Sequence, residues 1–574
     1  MTAVAGPAPD GTAPDTAGLD AAVAEVAAHA ESWAATGALE RAGLLDQVLH
    51  DTMAALGPWL LSACRAKGLD PASPEAGEEL FAGIGTLVRM ARLYRDSLRQ
   101  IAAGSQPAIA GPVTEAADGR LRVRVFPATP YDRVVFPQTT AEVWMQPAVT
   151  RDALPTGQAA AYADPAAHAG VALVLAAGNV ASLGPRDALS KLFVEGKVVV
   201  MKANPVNDYL VPHWSAALGA LTRAGVLRIV TGGAEVGQHL TAHEQVDEVH
   251  ITGSGRTYDA VVFGGGADGA RRKAEDRPLL EKPVTAELGN VSPVIVVPGK
   301  WSGGDLRYQA EHVATMLVNN AGFNCLAARV VVTWEGWPQR DAFLGALTQV
   351  LSQITTRRAY YPGAATRRDA FVAAHPEAEE LGTGPDDALP WTFIRGVAPG
   401  RTGDVCFTTE SFFGECAETA LTAPSEAAFV DAAVAFCNDV VWGTLSATVL
   451  ASPSSLADPA VAAAVERAVA DLRYGAIGVN VWHAVAFAIG TTTWGAFPGH
   501  PRNDIGSGTG VVGNALMFDR PEKSVVRGPF RSRPKPPWFA TAPGQLEIMR
   551  RFVAFEADPG AARIPGLLLA ALRH

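Results

Sequence analysis

Residues 170–205 read GVALVLAAGNVASLGPRDALSKLFVEGKVVVMKANP, and their reading decides the fold. VALVLAA (171–177) is a short apolar run of strand length, GNVASLGP a turn-rich loop, RDALSKLF a helix, and KVVVMK (197–202) a second buried strand. The pattern continues through the helix DYLVPHWSAALGALTRA, the strand VLRIV, a short helix through VGQHL and the strand VDEVHIT. Strands alternating with helices at this interval predict right-handed crossovers onto a mostly parallel sheet, a Rossmann-type α/β unit. A non-nucleotide α/β layer would show the same pattern, because fold does not dictate function.

Outward from this core, residues 21–100 recur at helix spacing and predict an antiparallel helical layer. RLRVRVF (120–126) and AEVWMQPAV (141–149) read as extended pieces between Pro-rich turns, too polar for the centre of a parallel sheet. A second α/β region begins with VSPVIVVPG (291–299), continues through the helix EHVATMLVNNAGF to the return strand AARVVVTW (327–334), and carries a further helix at 341–354. Residues 360–389, rich in Pro, Gly, Asp and Glu, predict a surface loop with one short helix. AAFVDAAVAFCNDV, GTLSATVL, PAVAAAVERAVADLR and YGAIGVNV alternate again between helix and strand. Beyond His500 the pattern is irregular until a terminal helix, GQLEIMRRFVAFEA.

The chain has 574 residues, 48% hydrophobic and 18% charged, so it can bury a large core divided into two or three units. Its net charge of -11, with no long basic run, disfavours binding to a phosphate backbone and predicts no nucleic-acid partner. Five cysteines without a C-x-x-C pair point to a reducing compartment. The first eighteen residues lack a basic start and apolar core, and no apolar run approaches a membrane span, so a cytoplasmic protein with no membrane partner is expected.

Cys325, in NNAGFNCLAARV, lies at a helix-to-strand junction beside flexible Gly322, where a thiol can face a cleft; an isolated cysteine is otherwise commonly core packing. Glu287, in VTAELGNVSPV, precedes a Leu-Gly turn, where partial burial would raise its pKa and suit it to proton abstraction. Asn179 follows the 171–177 strand, where this architecture places ligands and where an amide can stabilise an oxyanion. ITGSGRTYDAVVFG places Gly253, Ser254 and Gly255 after a strand, offering backbone N–H groups for phosphate, although it lacks the G-x-G-x-x-G fingerprint.

These pieces stand in one order. GNVASLGP, VVVMKANP, HITGS, TAELGNVSPVIVV, NNAGFNCLAARV and SFFG together resemble the serial landmarks of the NAD(P)-dependent aldehyde dehydrogenase superfamily, over roughly residues 170–530. The resemblance implies an aldehyde dehydrogenase-like α/β fold: a Rossmann-type dinucleotide-binding domain, an α/β catalytic domain and an oligomerisation arm. It makes Cys325 the nucleophile, Glu287 the general base, and Asn179 with the Cys325 backbone N–H the oxyanion hole. Lys202 matches the lysine on the adenosine ribose, and Gly253 and Ser254 match the turn over the pyrophosphate. Aligning on Phe413-Gly414 puts Ser411 where a carboxylate usually grips the nicotinamide ribose, with Glu410 one residue away. Pro205 stands where many NAD-preferring relatives carry a Glu, so NADP or NAD is implied as cofactor, with NADP acceptance favoured. No metal is required.

The expected division is a leader at 1–18, a dinucleotide-binding domain from 19–119 and 158–285, a catalytic domain at 286–495, an oligomerisation arm from 120–157 and 496–530, and a C-terminal extension at 531–574. The implied reaction oxidises a small-molecule aldehyde to an acid through a thiohemiacetal and a thioester. A CoA-acylating dehydrogenase and a non-catalytic oligomeric scaffold are the alternatives. A homodimer is expected, with a tetramer as the competitor.

Overall fold

The computed structural model describes residues 15–573, and of the expected leader residues 1–14 lie outside the described residues, while Thr16 already begins a helix. In chain order the strands are β1 (Val113–Glu115), β2 (Leu121–Phe126), β3 (Thr140–Met145), β4 (Val171–Leu175), β5 (Val198–Lys202), β6 (Leu227–Val230), β7 (Glu248–Thr252), β8 (Val284–Glu287), β9 (Ser292–Val296), β10 (Ala328–Trp334), β11 (Glu379–Leu381), β12 (Trp391–Ile394), β13 (Glu415–Leu421), β14 (Ser446–Leu450), β15 (Ala476–Val479), β16 (Gly508–Thr509) and β17 (Pro521–Arg527).

Two sheets result. The smaller has the order β16-β8-β7-β4-β5-β6, parallel from β8 to β6, with β16 antiparallel at one edge. The larger runs β1-β2-β3-β17-β15-β14-β9-β10-β13-β12-β11 and is parallel in its centre, with antiparallel pairs at both ends. The apolar runs β4, β5, β9, β14 and β15 are the buried centres, as expected of strands covered by helices on both faces. β4 leaves order with β7 on one side and β5 on the other, so the strand order reverses there and its carboxyl end opens a crevice.

The expected boundaries meet these sheets unevenly. The division at 285/286 cuts through β8, and β16, from the expected arm, completes the smaller sheet. β1, drawn with the dinucleotide-binding portion, is instead the outer edge of the larger sheet, reached through β2 and β3. The irregular stretch after His500 conceals β17, which lies inside the larger sheet between β3 and β15. Its disguise is Lys523: the side chain is buried, and its ammonium donates to the carbonyls of Ala470 and Leu472, each at 2.8 Å, at the end of the helix Pro459–Asp471. Burial pulls that ammonium down to about 7. A strand whose polar residue is satisfied so far along the chain does not alternate visibly.

The helical layer forms as expected, chiefly from Ala38–Lys67 and Thr86–Ala102, joined through a π-helical segment, Glu79–Gly85. The helix Gln545–Ala557, expected to be terminal but followed by a further helix, Ile564–Arg573, packs on this layer, where Met549, Phe552 and Val553 join Leu80, Ile84 and Leu87 in one core. Glu556 fastens it. Its carboxylate receives Arg89 at 2.7 Å and Arg92 at 2.6 Å, and all three groups are buried. Removing one partner of such a cluster leaves an uncompensated buried charge, so Glu556→Gln should cost about 3–5 kcal/mol in denaturant unfolding. A loss below about 1 kcal/mol would show that hydrophobic contacts alone hold the segment.

Candidate active site

The helix Gly303–Val318 does not run smoothly into β10. It ends in a short 3-10 turn, Asn319–Gly322, in which Asn320, Ala321 and Gly322 all take positive φ values of 52°, 55° and 78°. Only glycine fits at 322, because a Cβ there would stand 2.6 Å from Gly414 N. Asparagine tolerates the left-handed conformation better than most residues, and here its amide is also used: Asn320 Nδ2 donates to Asn179 O at 3.0 Å and to Phe323 O at 2.9 Å. Lys67 Nζ binds Glu79 at 2.6 Å, Asn320 Oδ1 at 3.0 Å and Asn179 O at 3.2 Å, and the Tyr360 hydroxyl donates to the same Asn179 carbonyl at 2.9 Å. Arg329, at the start of β10, ties Gly322 O at 2.6 Å to the Phe413 and Glu415 carbonyls. Strain of this kind persists only where surrounding contacts over-determine it.

The loop presents Cys325, the one cysteine of five that is not fully buried. Its Sγ lies 3.3 Å from Glu287 Oε1, which β8 delivers at its carboxyl end. Burial raises the Glu287 pKa, partly opposed by the Trp494 indole and the thiol itself. Burial first, then the Glu287 and Glu410 charges, holds the Cys325 thiol well above its ordinary range. At rest the pair is therefore a protonated thiol against a carboxyl group, with Glu287 Oε2 buried and lacking a partner among the described residues. Both residues line the same cavity.

Asn179 is buried beside this loop, and its Nδ2 donates to Phe323 O at 3.1 Å, which leaves one amide hydrogen uncommitted. Asn179 is absent from the cavity lining, whereas Asn324 faces it next to Cys325. The structure also separates Glu410 from Ser411. Glu410 reaches the turn after β8, where Asn290 N donates to its Oε1 at 3.3 Å and where a Cβ on Gly289 would stand 2.2 Å from its Oε2. Its pKa is pushed up to about 7 by burial. Ser411 is fully buried with its hydroxyl unpartnered among the described residues, and the reversal is made at Phe412, whose φ is 48°. Tyr360, Arg329 and Lys67 carry no motif signal of their own; Asn320, the Asn of N-x-G-x-x-Cys, is the one that could have been read.

Residues 149–366 match the family model described as the aldehyde dehydrogenase family. An N-succinylglutamate 5-semialdehyde dehydrogenase of Caulobacter vibrioides is 30% identical over 164 residues, 28% of this chain and only 30% of the relative's own length. Among solved structures, the Mycobacterium tuberculosis aldehyde dehydrogenase complexed with NAD+ superposes with a TM-score of 0.59 at 20% identity, covering 89% of this chain and 90% of that one. A Pseudomonas syringae aldehyde dehydrogenase variant complexed with NAD+ and octanal gives 0.57 at 18% identity, covering 90% and 89%. The chain therefore has the aldehyde dehydrogenase fold, and the strands of residues 170–252 pair in parallel as expected.

A dinucleotide fits the residues that this aldehyde dehydrogenase fold gathers at the carboxyl ends of β5 and β7. Lys202, buried at the end of β5, donates among the described residues only to the Ala203 carbonyl, at 3.1 Å. Pro205 opens the turn Pro205–Leu210, capped by Asn204, and Asp208 in that turn has a buried Oδ1 lacking a partner among the described residues. Gly253 and Gly255 follow β7, the latter with open space where a Cβ would be, and the Ser254 hydroxyl caps the helix Gly255–Val262 by accepting from Thr257 N at 3.2 Å. The Gly264–Gly266 run makes the turn into the helix Gly266–Ala274. Elsewhere, His375, Asp404 and Cys406 place potential metal-ligand atoms within 4.8 Å of one another. Both ring nitrogens of His375 are occupied by Asp404 and Glu377 at 2.9 Å, and Asp404 caps Cys406 N, so hydrogen bonding accounts for the cluster. No described helix is long and apolar enough to cross a membrane.

Proposed function

We propose that this chain oxidises an aldehyde to a carboxylic acid with NAD(P), Cys325 acting as nucleophile and Glu287 as general base. The observation that carries the reading is the 3.3 Å contact between Cys325 Sγ and Glu287 Oε1 at the wall of one cavity. Glu287 accepts the thiol proton as sulfur attacks the aldehyde carbonyl. The free Asn179 amide hydrogen and the Cys325 backbone N–H hold the oxygen that becomes anionic. A bound nicotinamide supplies the acceptor for the hydride that leaves this adduct, and a thioester remains on Cys325. Glu287, having released that proton to solvent, then takes a proton from water as the water attacks the thioester, and the carbon–sulfur bond breaks so that the acid departs and Cys325 regains its thiol. Lys202, Gly253 and Ser254 orient the adenosine half of the cofactor, and Glu410 rather than Ser411 meets the nicotinamide ribose. Rapid-quench trapping of acyl-enzyme with NAD or NADP and a panel of aldehydes tests the reading; no trapped species with any of them would reject it.

Cofactor choice rests on the turn after β5. Pro205 supplies no carboxylate to repel a 2′-phosphate, which supports NADP acceptance, whereas Asp208 and Glu235 are the charges that act on Lys202. Pro205→Glu should lower the NADP/NAD ratio of kcat/KM by about tenfold, and Asp208→Asn should raise it. An unchanged ratio in both folded variants would place the 2′-recognition site elsewhere. The β1 edge of the larger sheet supports a homodimer as the assembled form, read by light scattering of the eluted protein.

A further inference from the structure

The cavity that holds Cys325 is not closed by the segments that carry the family landmarks. Part of its wall comes from the π-helical segment Glu79–Gly85, through Phe81 and Ala82, and part from the C-terminal extension, through Trp538 and Gln545. These two parts pack on each other. Phe81 stacks on Trp538 with ring centroids 6.4 Å apart and meets Phe552 at 5.8 Å. Gln545 lies against Gly77, where a Cβ would stand 2.7 Å from Gln545 Cγ. The buried Arg89–Glu556–Arg92 cluster anchors the same helix, so this wall is built rather than loosely draped.

The lining is mostly apolar, with Leu183, Trp482, Phe487 and Trp494 beside the two aromatic residues above. Among the described residues it contains no lysine or arginine. Its two carboxylates are Glu287 and Glu78, and the latter is consumed by Arg357 at 2.8 Å and by Asn320 N at 2.9 Å. An anionic tail would therefore meet negative charge without a cation. What remains unused is donor capacity: Gln545 is 3% exposed, and its Nε2 and the indole N–H of Trp538 have no hydrogen-bond partner among the described residues. A buried donor without a partner costs about 1–3 kcal/mol, which a ligand acceptor would recover.

We propose that Trp538 and Gln545 of the C-terminal extension form a recognition subsite in this cavity for a neutral hydrogen-bond acceptor. It rests on the aldehyde-oxidising reading, and it assigns the substrate class: an uncharged aldehyde with an apolar body and an ether, carbonyl or hydroxyl oxygen remote from the reacting carbon. Gln545 is a specificity residue, and it takes no part in the chemistry.

The test uses the full chain and a series of straight-chain aldehydes paired with ethers identical but for one methylene replaced by oxygen, the oxygen being moved along the chain. At one oxygen position kcat/KM should exceed that of the all-carbon partner by about fivefold or more, and Gln545→Met should return that ratio to near one. Trp538→Phe, which removes the N–H and keeps the ring, should reduce it also. The matching primary alcohols are titrated in parallel by quenching of the cavity tryptophans, which reads binding without turnover. If the alcohols show the same position-dependent preference while no aldehyde is oxidised, the proposed activity fails and the subsite stands. A ratio near one at every oxygen position in the wild type, a preference that survives in Gln545→Met, or no binding of either series overturns the subsite.

Discussion

Cys325→Ser should abolish detectable acyl-enzyme and lower aldehyde oxidation by at least about 10³-fold while the fold is retained. The thiol donates 3.3 Å from Glu287 Oε1 and sits on a loop locked by Asn320, Lys67 and Arg329, so a hydroxyl of similar size can occupy the place without disturbing its supports. Serine cannot do the same work: as an alkoxide it is formed far less readily in a site where burial and the Glu287 and Glu410 charges already oppose even a thiolate. The remaining cysteines, Cys64, Cys406, Cys416 and Cys437, are buried and should be dispensable for chemistry. Near-normal turnover by a correctly folded serine variant would remove Cys325 from the reaction.

Glu287→Gln should separate the two halves of the reaction. The carboxylate charge is one of the influences that hold the Cys325 thiol protonated, so its removal eases thiolate formation even as it removes a base. A burst of NAD(P)H comparable with the enzyme concentration is therefore expected to persist, while steady-state acid production falls by roughly 10²-fold because no group remains to activate water against the thioester. The pH dependence carries the same signature. Burial raises the Glu287 pKa, and the base acts when deprotonated, so wild-type deacylation should rise with pH through that raised value and the rise should vanish in the glutamine variant. Loss of the burst together with turnover would make Glu287 a support of the thiolate or of the fold. Acceleration of product release by added CoA would move the assignment to an acylating dehydrogenase.

The parts of this protein that the chain announces are those whose cause is local. β4 and β5, the turns after them and the parallel order they imply follow from apolar runs of strand length punctuated by glycine and proline. The Glu-Leu-Gly turn and the cysteine after N-x-G-x-x carry their own reasons: Gly289 clears the approach of Glu410, and Gly322 takes a conformation and a contact that no Cβ allows. What tertiary structure alone decided has its cause in distant partners. β17 is a strand because the Lys523 ammonium finds carbonyls at the end of the helix Pro459–Asp471, so its polarity no longer marks it as surface. Glu410 rather than Ser411 reaches the turn after β8, where the backbone reverses at Phe412 and Arg367 holds the Ser411 and Phe412 carbonyls. Tyr360, in a stretch that reads as surface loop, supports the Cys325 loop through the Asn179 carbonyl and Asn320 Oδ1. Trp538 and Gln545 reach the Cys325 cavity on a segment that the buried Glu556 carboxylate ties to Arg89 and Arg92, partners remote in sequence. Periodicity records which face of a segment is apolar; it holds no record of which remote group a buried polar atom will meet.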